Sequence, residues 1–184
     1  MRGVIVIPSA LSLLRLGLAA WFPLAAPALR PALLIAAALS DFVDGWIARR
    51  FKLATWLGGL LDALADKLFA LAALLTFTFG AELTGWQAML LLARDFAVAL
   101  IALYAIVKRK WYAFRHMPAR WFGKVTTAAM FLFFLLLATW PGQRQAFWPA
   151  FILTATLSFA AAIDYLIVFA RQRQLDRRGA VRHT

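Results

Sequence analysis

The sequence contains no cysteine, which excludes disulfide bonds, thiolate metal sites and a cysteine nucleophile. Acidic residues are also scarce, with 8 Asp and Glu against 20 Lys and Arg and a net charge of +12. Apolar residues make up 64% of the chain, and the mean hydropathy is +0.78. Soluble domains are about 45–50% apolar, so the composition indicates a membrane protein. Its 184 residues are enough for one domain.

A strong positive charge is also typical of nucleic-acid-binding proteins. Here the basic residues cluster in a few segments between long apolar runs, and the largest cluster spans residues 108–124. This arrangement is typical of the loops of membrane proteins. We therefore expect no nucleic-acid partner.

Six apolar segments are long enough to cross a bilayer, which takes about 20 helical residues. They span residues 9–28, 32–50, 56–79, 85–108, 121–140 and 148–170. The sequence therefore predicts an all-α membrane protein with six transmembrane helices in a domain at residues 1–170, and a basic cytoplasmic tail at 171–184. A cleaved signal peptide is the weaker interpretation of the amino terminus, because Arg15 interrupts the apolar run.

The distribution of Lys and Arg predicts the orientation in the membrane. If Arg2, the turn at 49–52, the 108–124 segment and the tail share one side, only Arg30 and Arg144 of the 20 basic residues lie opposite. Cytoplasmic loops carry the excess of Lys and Arg, so both termini are expected in the cytoplasm. The expected location is the inner or cell membrane of a bacterial-type cell.

Half of the acidic residues lie in the second and third apolar segments, as Asp41, Asp44, Asp62 and Asp66. Residues three or four apart share a helix face, so each pair forms a stripe. The turn between the segments is short, so the two stripes can face each other near the cytoplasmic surface. A carboxylate at the centre of a membrane helix costs about 2.5–3.5 kcal/mol. The four aspartates therefore require positive partners.

Four carboxylates match the charge of two divalent cations, and oxygen ligands suit Mg²⁺ or Mn²⁺. A pair of such ions can stabilise the attacking and leaving oxygens of a displacement at phosphorus. Gly45 and Gly58 leave room for a phosphate near the backbone, and Arg49 can bind two phosphate oxygens. Close helix packing is the alternative role of Gly58, Gly59 and Ala48, and anchoring the topology is the alternative role of Arg49.

The spacing D-x2-D-G-x2-A-R-x8-G-x3-D-x3-D is identified as the signature of the CDP-alcohol phosphotransferases. Its fixed positions are all present, as Asp41, Asp44, Gly45, Ala48, Arg49, Gly58, Asp62 and Asp66. The resemblance implies a membrane enzyme of phospholipid synthesis, usually a homodimer. Such an enzyme transfers a phosphatidyl group from CDP-diacylglycerol to an alcohol and releases CMP.

The resemblance also implies the roles of the motif residues. The metal ligands would be Asp41, Asp44, Asp62 and Asp66. Asp66 would in addition be the catalytic base that deprotonates the acceptor hydroxyl. The pocket for the CDP moiety would be lined by Gly45, Ala48, Arg49, Gly58 and Asp62.

Segments outside the motif resemble those of phosphatidylglycerophosphate synthases and eukaryotic-type cardiolipin synthases. They are Ile-Pro-Ser-Ala-Leu-Ser-Leu-Leu-Arg at 7–15, Leu-Asp-Ala-Leu-Ala-Asp-Lys at 61–67, Arg-Asp at 94–95 and Gly-Lys-Val-Thr-Thr at 123–127. The resemblance implies glycerol 3-phosphate as the leading acceptor. Phosphatidylglycerol, which would make the chain a cardiolipin synthase, comes next, and inositol phosphate or another alcohol stays open.

An anionic acceptor needs basic groups, and Arg94 and Lys124 are the candidates for binding its phosphate. Arg94 lies inside a predicted span, where an ionisable residue suggests a function. Its structural alternative is an ion pair with Asp95 or Asp164. The alternative for Lys124, at a span end, is to extend to the membrane interface.

Two other classes of protein would also explain carboxylates in a membrane. One is a cation transporter, and the other is a structural protein with a buried ion network. Neither accounts for Gly45, Arg49 and Gly58 at fixed spacing, so the enzyme is favoured. The basic tail is expected to contact anionic lipid headgroups.

Overall fold

The structure is a computed structural model that describes residues 2–51, 56–107 and 121–181. Side chains are described for fewer residues. Those of Asp44, Ala48 and Arg49 lie outside the described part, as do the surroundings of Gly58. The described residues form helices and turns and contain no strand. This confirms the prediction of an all-α protein.

The α-helices, numbered in chain order within the described residues, are α1 Arg2–Trp21, α2 Arg30–Phe51, α3 Trp56–Phe79, α4 Gly85–Leu91, α5 Ala93–Val107, α6 Trp121–Thr139 and α7 Trp148–Val181. Short 3-10 helices lie at Phe22–Leu24, Pro27–Leu29 and Arg144–Phe147. Prolines stand at the joint between α1 and α2. Pro23 and Pro27 start 3-10 turns, and Pro31 lies in the first turn of α2. Backbone N–H groups have no helical partner at such positions, so proline loses nothing there.

Each predicted apolar segment contains a helix, but the prediction of six spans is not confirmed. In the described chain, one helix is long and apolar enough to cross a membrane, over Gln145–Arg171. A second candidate exists if α4 and α5 count as one bent span. Helices α2 and α3 carry the charged residues of the motif, which makes them less typical of membrane spans. The apolar stretches Ala10–Leu24 and Gly123–Thr139 are shorter.

The fourth predicted span, 85–108, is broken between α4 and α5 by a bend of 58°. Ser158 of α7 accounts for the break. Its hydroxyl donates to the carbonyl oxygen of Leu91 at 2.7 Å and accepts from the backbone N–H of Arg94 at 3.3 Å. A continuous helix would pair both backbone groups within itself, and a side chain that inserts into this ladder bends the helix.

The last helix extends beyond the sixth predicted apolar segment. That segment was predicted at 148–170, and the helix long and apolar enough to cross a membrane covers Gln145–Arg171. Helix α7 then continues to Val181, through part of the predicted basic tail. The division into a domain and a tail stays a prediction about composition rather than about secondary structure.

The chain divides into two compact units. The amino-terminal unit contains Met1–Thr84 and Phe131–Phe147. Within it, α1 packs against α2 and α3. The buried ring of Phe22, just after α1, contacts Phe69 and Phe77 of α3 at centroid distances of 5.5 and 6.0 Å. These aromatic contacts fix the position of α1 along α3.

The carboxyl-terminal unit contains Gly85–Met130 and Trp148–Thr184. Its main contact is between α5 and α7. At one end of this contact, the ring centroids of Trp86 and Trp148 lie 6.0 Å apart, and at the other end those of Tyr104 and Phe169 lie 5.2 Å apart. The α4–α5 pair and α7 therefore run parallel, as the fourth and sixth spans of an alternating bundle would.

Large apolar side chains are exposed on several helices. Examples are Phe42 at 66%, Phe79 at 85%, Leu100 at 64% and Phe159 at 57% exposure. Extensive exposure of large apolar side chains is typical of surfaces that contact lipid or other molecules. The exposure favours a chain surrounded by lipid.

Candidate functional site

Aspartates of α2 and α3 meet around a buried arginine in the amino-terminal unit. Arg15 of α1 has a side-chain exposure of 0%. Its Nη1 donates to Asp62 Oδ1 at 2.8 Å and lies 3.5 Å from Asp41 Oδ1. One oxygen from each acidic stripe therefore lies beside the same cationic nitrogen. The two stripes come together at Asp41 and Asp62, as the motif spacing predicts.

Ser40 holds the other side of the guanidinium group. Arg15 Nε donates to Ser40 Oγ at 3.3 Å, and Ser40 Oγ donates to the carbonyl oxygen of Ala37 at 2.8 Å. Both Arg15 and Ser40 are buried. Because Ser40 directly precedes Asp41, α2 presents a hydroxyl and then a carboxylate to the same arginine.

Asp66 belongs to the same acidic cluster. It follows Asp62 by one turn of α3 and is half-buried. Its carboxylate interacts electrostatically with Asp41, Asp62, Arg15 and Lys67. Asp41, Asp62 and Asp66 are thus close enough to interact electrostatically with one another.

The carboxylates of this cluster supply oxygen atoms, the type of ligand that a hard divalent cation prefers. The side chains of Asp41 and Asp62 are 54% and 39% exposed, so a ligand can reach their oxygens. Arg15 already sets a positive group between those oxygens. Among the described side chains, no three acidic or histidine groups are positioned to hold a metal ion. Asp44, the remaining predicted ligand, has its side chain outside the described part.

The predicted CDP pocket is only partly described. Gly45 is half-buried on α2, four residues after Asp41, and Gly58 lies in α3. Ala48 and Arg49 have side chains outside the described part. The assignment of these residues to the pocket stays a prediction.

Arg94, a predicted acceptor-binding residue, is buried in the carboxyl-terminal unit at 6% exposure. Its Nη1 donates to the carbonyl oxygen of Gly123 at 2.7 Å and to Thr127 Oγ1 at 2.9 Å. Its Nη2 donates to Asp95 Oδ1 at 3.1 Å. The ion pair with Asp95 that the sequence offered as an alternative is therefore present. These contacts favour a role in holding helices together, and phosphate binding by Arg94 stays a prediction.

Lys124, the other predicted acceptor-binding residue, is exposed in the first turn of α6. The neighbouring Gly123 packs closely against α7, because a Cβ atom there would lie 3.0 Å from Tyr165 Oη. Thr127 Oγ1 also donates to the carbonyl oxygen of Gly123, at 3.1 Å. This turn is thus fixed by three side chains, those of Arg94, Thr127 and Tyr165.

Sequence analysis missed three residues of these clusters. The signal for Arg15 was available, since an ionisable residue inside an apolar helix suggests a function. Arg15 was interpreted only as evidence against a signal peptide and as the last residue of the 7–15 segment. Ser40 and Ser158 give no such signal, because serine is common in membrane helices and its partners are set by packing.

Comparisons with known proteins agree with the motif. The sequence model of CDP-alcohol phosphatidyltransferases matches residues 4–165. The chain is 31% identical over 177 residues to the CDP-diacylglycerol--glycerol-3-phosphate 3-phosphatidyltransferase of Pectobacterium atrosepticum, covering 87% of this chain and 92% of that protein.

Two shorter matches involve related enzymes. A probable phosphatidylglycerophosphate synthase of Mycobacterium tuberculosis is 32% identical over 96 residues, covering 52% of this chain and 43% of that protein. A cardiolipin synthase (CMP-forming) of Streptomyces coelicolor is 38% identical over 74 residues, covering 40% of this chain and 34% of that protein.

Proposed function

This chain belongs to the CDP-alcohol phosphatidyltransferase family, and we propose that it makes phosphatidylglycerophosphate. It transfers the phosphatidyl group of CDP-diacylglycerol to a hydroxyl of glycerol 3-phosphate and releases CMP. The relative that aligns over 92% of its own length is named for this reaction. Membership of an enzyme family decides against the cation transporter and the purely structural protein.

The single observation that supports the site is the position of Arg15 between carboxylates of two helices. Asp41 of α2 and Asp62 of α3 both direct an oxygen at its Nη1. Part-exposed carboxylates from two helices can bind the divalent counter-ions of a diphosphate substrate.

We assign the metal ions to Asp41, Asp44, Asp62 and Asp66. When bound, two Mg²⁺ or Mn²⁺ ions would offset the negative charge on the diphosphate and on the leaving CMP. Carboxylate oxygens are the ligands that these hard cations prefer. The contribution of the protein is to hold the oxygens of α2 and α3 in a fixed relation.

The chain then needs one group that moves a proton, and Asp66 is assigned this role. Asp66 accepts the proton of the acceptor hydroxyl. The hydroxyl oxygen forms a bond to the phosphorus that bears the diacylglycerol, and the bond from that phosphorus to the CMP oxygen breaks. The substrate is held by the proposed CDP pocket, made of Gly45, Ala48, Arg49, Gly58 and Asp62. Small residues there let the diphosphate approach the backbone.

The acceptor phosphate is assigned to Lys124, with Arg94 in support. Lys124 is exposed and can reach a soluble anion. Arg94 bonds to the carbonyl of Gly123, directly before Lys124, so it contributes by holding that turn. Phosphatidylglycerol is the second candidate acceptor, because a cardiolipin synthase is among the relatives. That match covers only 34% of the relative, which favours glycerol 3-phosphate.

We propose that all six predicted segments cross the bilayer of a bacterial cell membrane, with α4 and α5 together forming the fourth. Both termini and the acidic cluster lie on the cytoplasmic side, since the basic loops gather there. The basic end of α7 lies against anionic headgroups. The active enzyme is a homodimer, as the family resemblance implies.

The test is a CMP-release assay on the protein purified in detergent with CDP-diacylglycerol and Mg²⁺ or Mn²⁺. Glycerol 3-phosphate, phosphatidylglycerol, inositol phosphate and serine are supplied separately. We expect CMP release with glycerol 3-phosphate, and none with it after chelation of the metal. Release only with phosphatidylglycerol would show a cardiolipin synthase, and no release with any acceptor would contradict the proposal. Asp62→Asn is the inactive control.

A further inference from the structure

We propose that Arg15 is a positioning residue that orients Asp62 and Asp41 for metal binding. The inference rests on the proposed function, because it concerns the ions assigned to these carboxylates. Arg15 lies on α1, outside the 41–66 motif, and joins a carboxylate of α2 to one of α3 through a single nitrogen. It is not itself a metal ligand, since a guanidinium group carries no free acceptor.

The guanidinium group is held firmly enough for this role. Its side chain is fully buried, at 0% exposure, so it cannot turn into solvent. Its Nε is bonded to Ser40 Oγ, and Ser40 is bonded in turn to the backbone of α2. The 2.8 Å hydrogen bond to Asp62 is therefore made by a donor whose own position is fixed.

Aromatic packing adds a second constraint on the same helix pair. Phe22 follows Arg15 by two turns, and Phe69 follows Asp62 by the same number of residues. The Phe22 and Phe69 rings lie 5.5 Å apart. Contacts at both levels keep α1 from sliding along α3, so the Arg15 guanidinium stays level with Asp62.

Groups that hold metal ligands in place contribute strongly to metal affinity. Losing such a partner typically weakens metal binding or activity about 10–100-fold. A role in charge balance alone makes the opposite prediction. A positive group beside two carboxylates repels a divalent cation, so its removal would then strengthen metal binding. The two roles differ in the sign of one measurement.

The experiment is Mn²⁺ binding to the full-length protein in detergent without CDP-diacylglycerol, measured by electron paramagnetic resonance. We expect Arg15→Gln to weaken Mn²⁺ binding at least about tenfold. Arg15→Lys should recover part of the loss, because one ammonium group can bond Asp62 but cannot also hold Ser40. Unchanged or tighter Mn²⁺ binding in a folded Arg15→Gln protein would overturn the inference.

A milder variant covers the case in which Arg15→Gln does not fold. Ser40→Ala keeps the guanidinium and removes only its anchor, so Mn²⁺ binding should weaken about threefold. Thr76→Val is the matched control, since it removes another buried hydroxyl of the same unit, one bonded within α3 to Ala72. Equal Mn²⁺ affinity in Ser40→Ala and wild type would also contradict the inference.

Failure of the proposed function has a different signature. The wild type would then release no CMP with glycerol 3-phosphate, while the difference in Mn²⁺ affinity between wild type and Arg15→Gln would remain.

Discussion

Arg94 Nη1 donates to the carbonyl oxygen of Gly123 at 2.7 Å, which joins α5 to the first turn of α6. Thr127 accepts from the same nitrogen. The segments Arg94-Asp95 and Gly123-Lys-Val-Thr-Thr127 are far apart in the sequence. Both resemble segments of phosphatidylglycerophosphate synthases and eukaryotic-type cardiolipin synthases. Their contact gives one physical reason for their joint occurrence, since one segment holds the other.

The first prediction concerns the loss of this contact. Arg94→Lys should lower the free energy of unfolding by about 2–3 kcal/mol, because one ammonium group cannot bond both Gly123 and Asp95. The Michaelis constant for glycerol 3-phosphate should rise less than about threefold. Thermal unfolding in detergent and steady-state CMP release measure the two effects. A tenfold rise in this constant with unchanged stability would instead mean that Arg94 contacts the acceptor.

The second prediction concerns the break between α4 and α5. Ser158→Ala removes the hydroxyl that pairs with Leu91 and Arg94, so we expect a loss of about 1–2 kcal/mol in unfolding free energy. Thr156→Ala is the matched control on α7, because its exposed hydroxyl bonds only within its own helix. It should change stability by less than about 0.5 kcal/mol. An equal loss of unfolding free energy in Ser158→Ala and Thr156→Ala would contradict the role of Ser158 in stabilising the break.

The helices themselves follow from the sequence. The third apolar segment was predicted at 56–79, and α3 spans Trp56–Phe79. Length, apolar composition and the flanking turns suffice for such a helix. The break after Leu91 does not follow from local sequence, because it depends on Ser158, a residue of α7 that only tertiary packing brings near.

The acidic site could be predicted to a similar extent. Helical spacing predicts that Asp41 and Asp62 lie on facing stripes, and their shared contact with Arg15 agrees with this. The contacts of Arg15 with these aspartates could not be predicted, because they depend on how α1 packs on α3. That packing is set by aromatic contacts such as the one between Phe22 and Phe69. Nothing in the sequence around these rings indicates which carboxylates Arg15 will contact.

The third prediction concerns Asp66 as the catalytic base. Asp66→Asn should lower kcat for CMP release about 10²–10⁴-fold, the usual contribution of a positioned proton acceptor. Asp66 is also a proposed metal ligand, so Asp66→Asn should weaken Mn²⁺ binding as well. The loss should be smaller than in Asp62→Asn, because Asp62 is the aspartate that Arg15 holds in place. Retention of kcat within tenfold of wild type, in a protein that folds normally, would exclude Asp66 as the base.

The fourth prediction concerns Lys124 and the charge of the acceptor. Lys124 is exposed in the first turn of α6, so its loss should not alter folding. We expect Lys124→Gln to change the unfolding free energy by less than about 0.5 kcal/mol. The lost ion contact with the acceptor phosphate should raise the Michaelis constant for glycerol 3-phosphate about tenfold, which corresponds to about 1.4 kcal/mol. The Michaelis constant for CDP-diacylglycerol should stay unchanged, because the pocket proposed for that substrate is made of residues of α2 and α3.

Arg171→Gln separates a specific contact of Lys124 from general attraction of an anionic substrate. Arg171 is another exposed basic residue, and it lies in α7. Salt screens the attraction between exposed charges beyond about 8–10 Å at 0.1–0.15 M. If long-range attraction were the only role of Lys124, Lys124→Gln and Arg171→Gln would weaken acceptor binding equally, and chiefly at low salt. We expect only Lys124→Gln to raise the Michaelis constant at 0.15 M salt. An equal rise in both variants would mean that Lys124 contributes charge and no contact, and the acceptor site would then have to lie elsewhere.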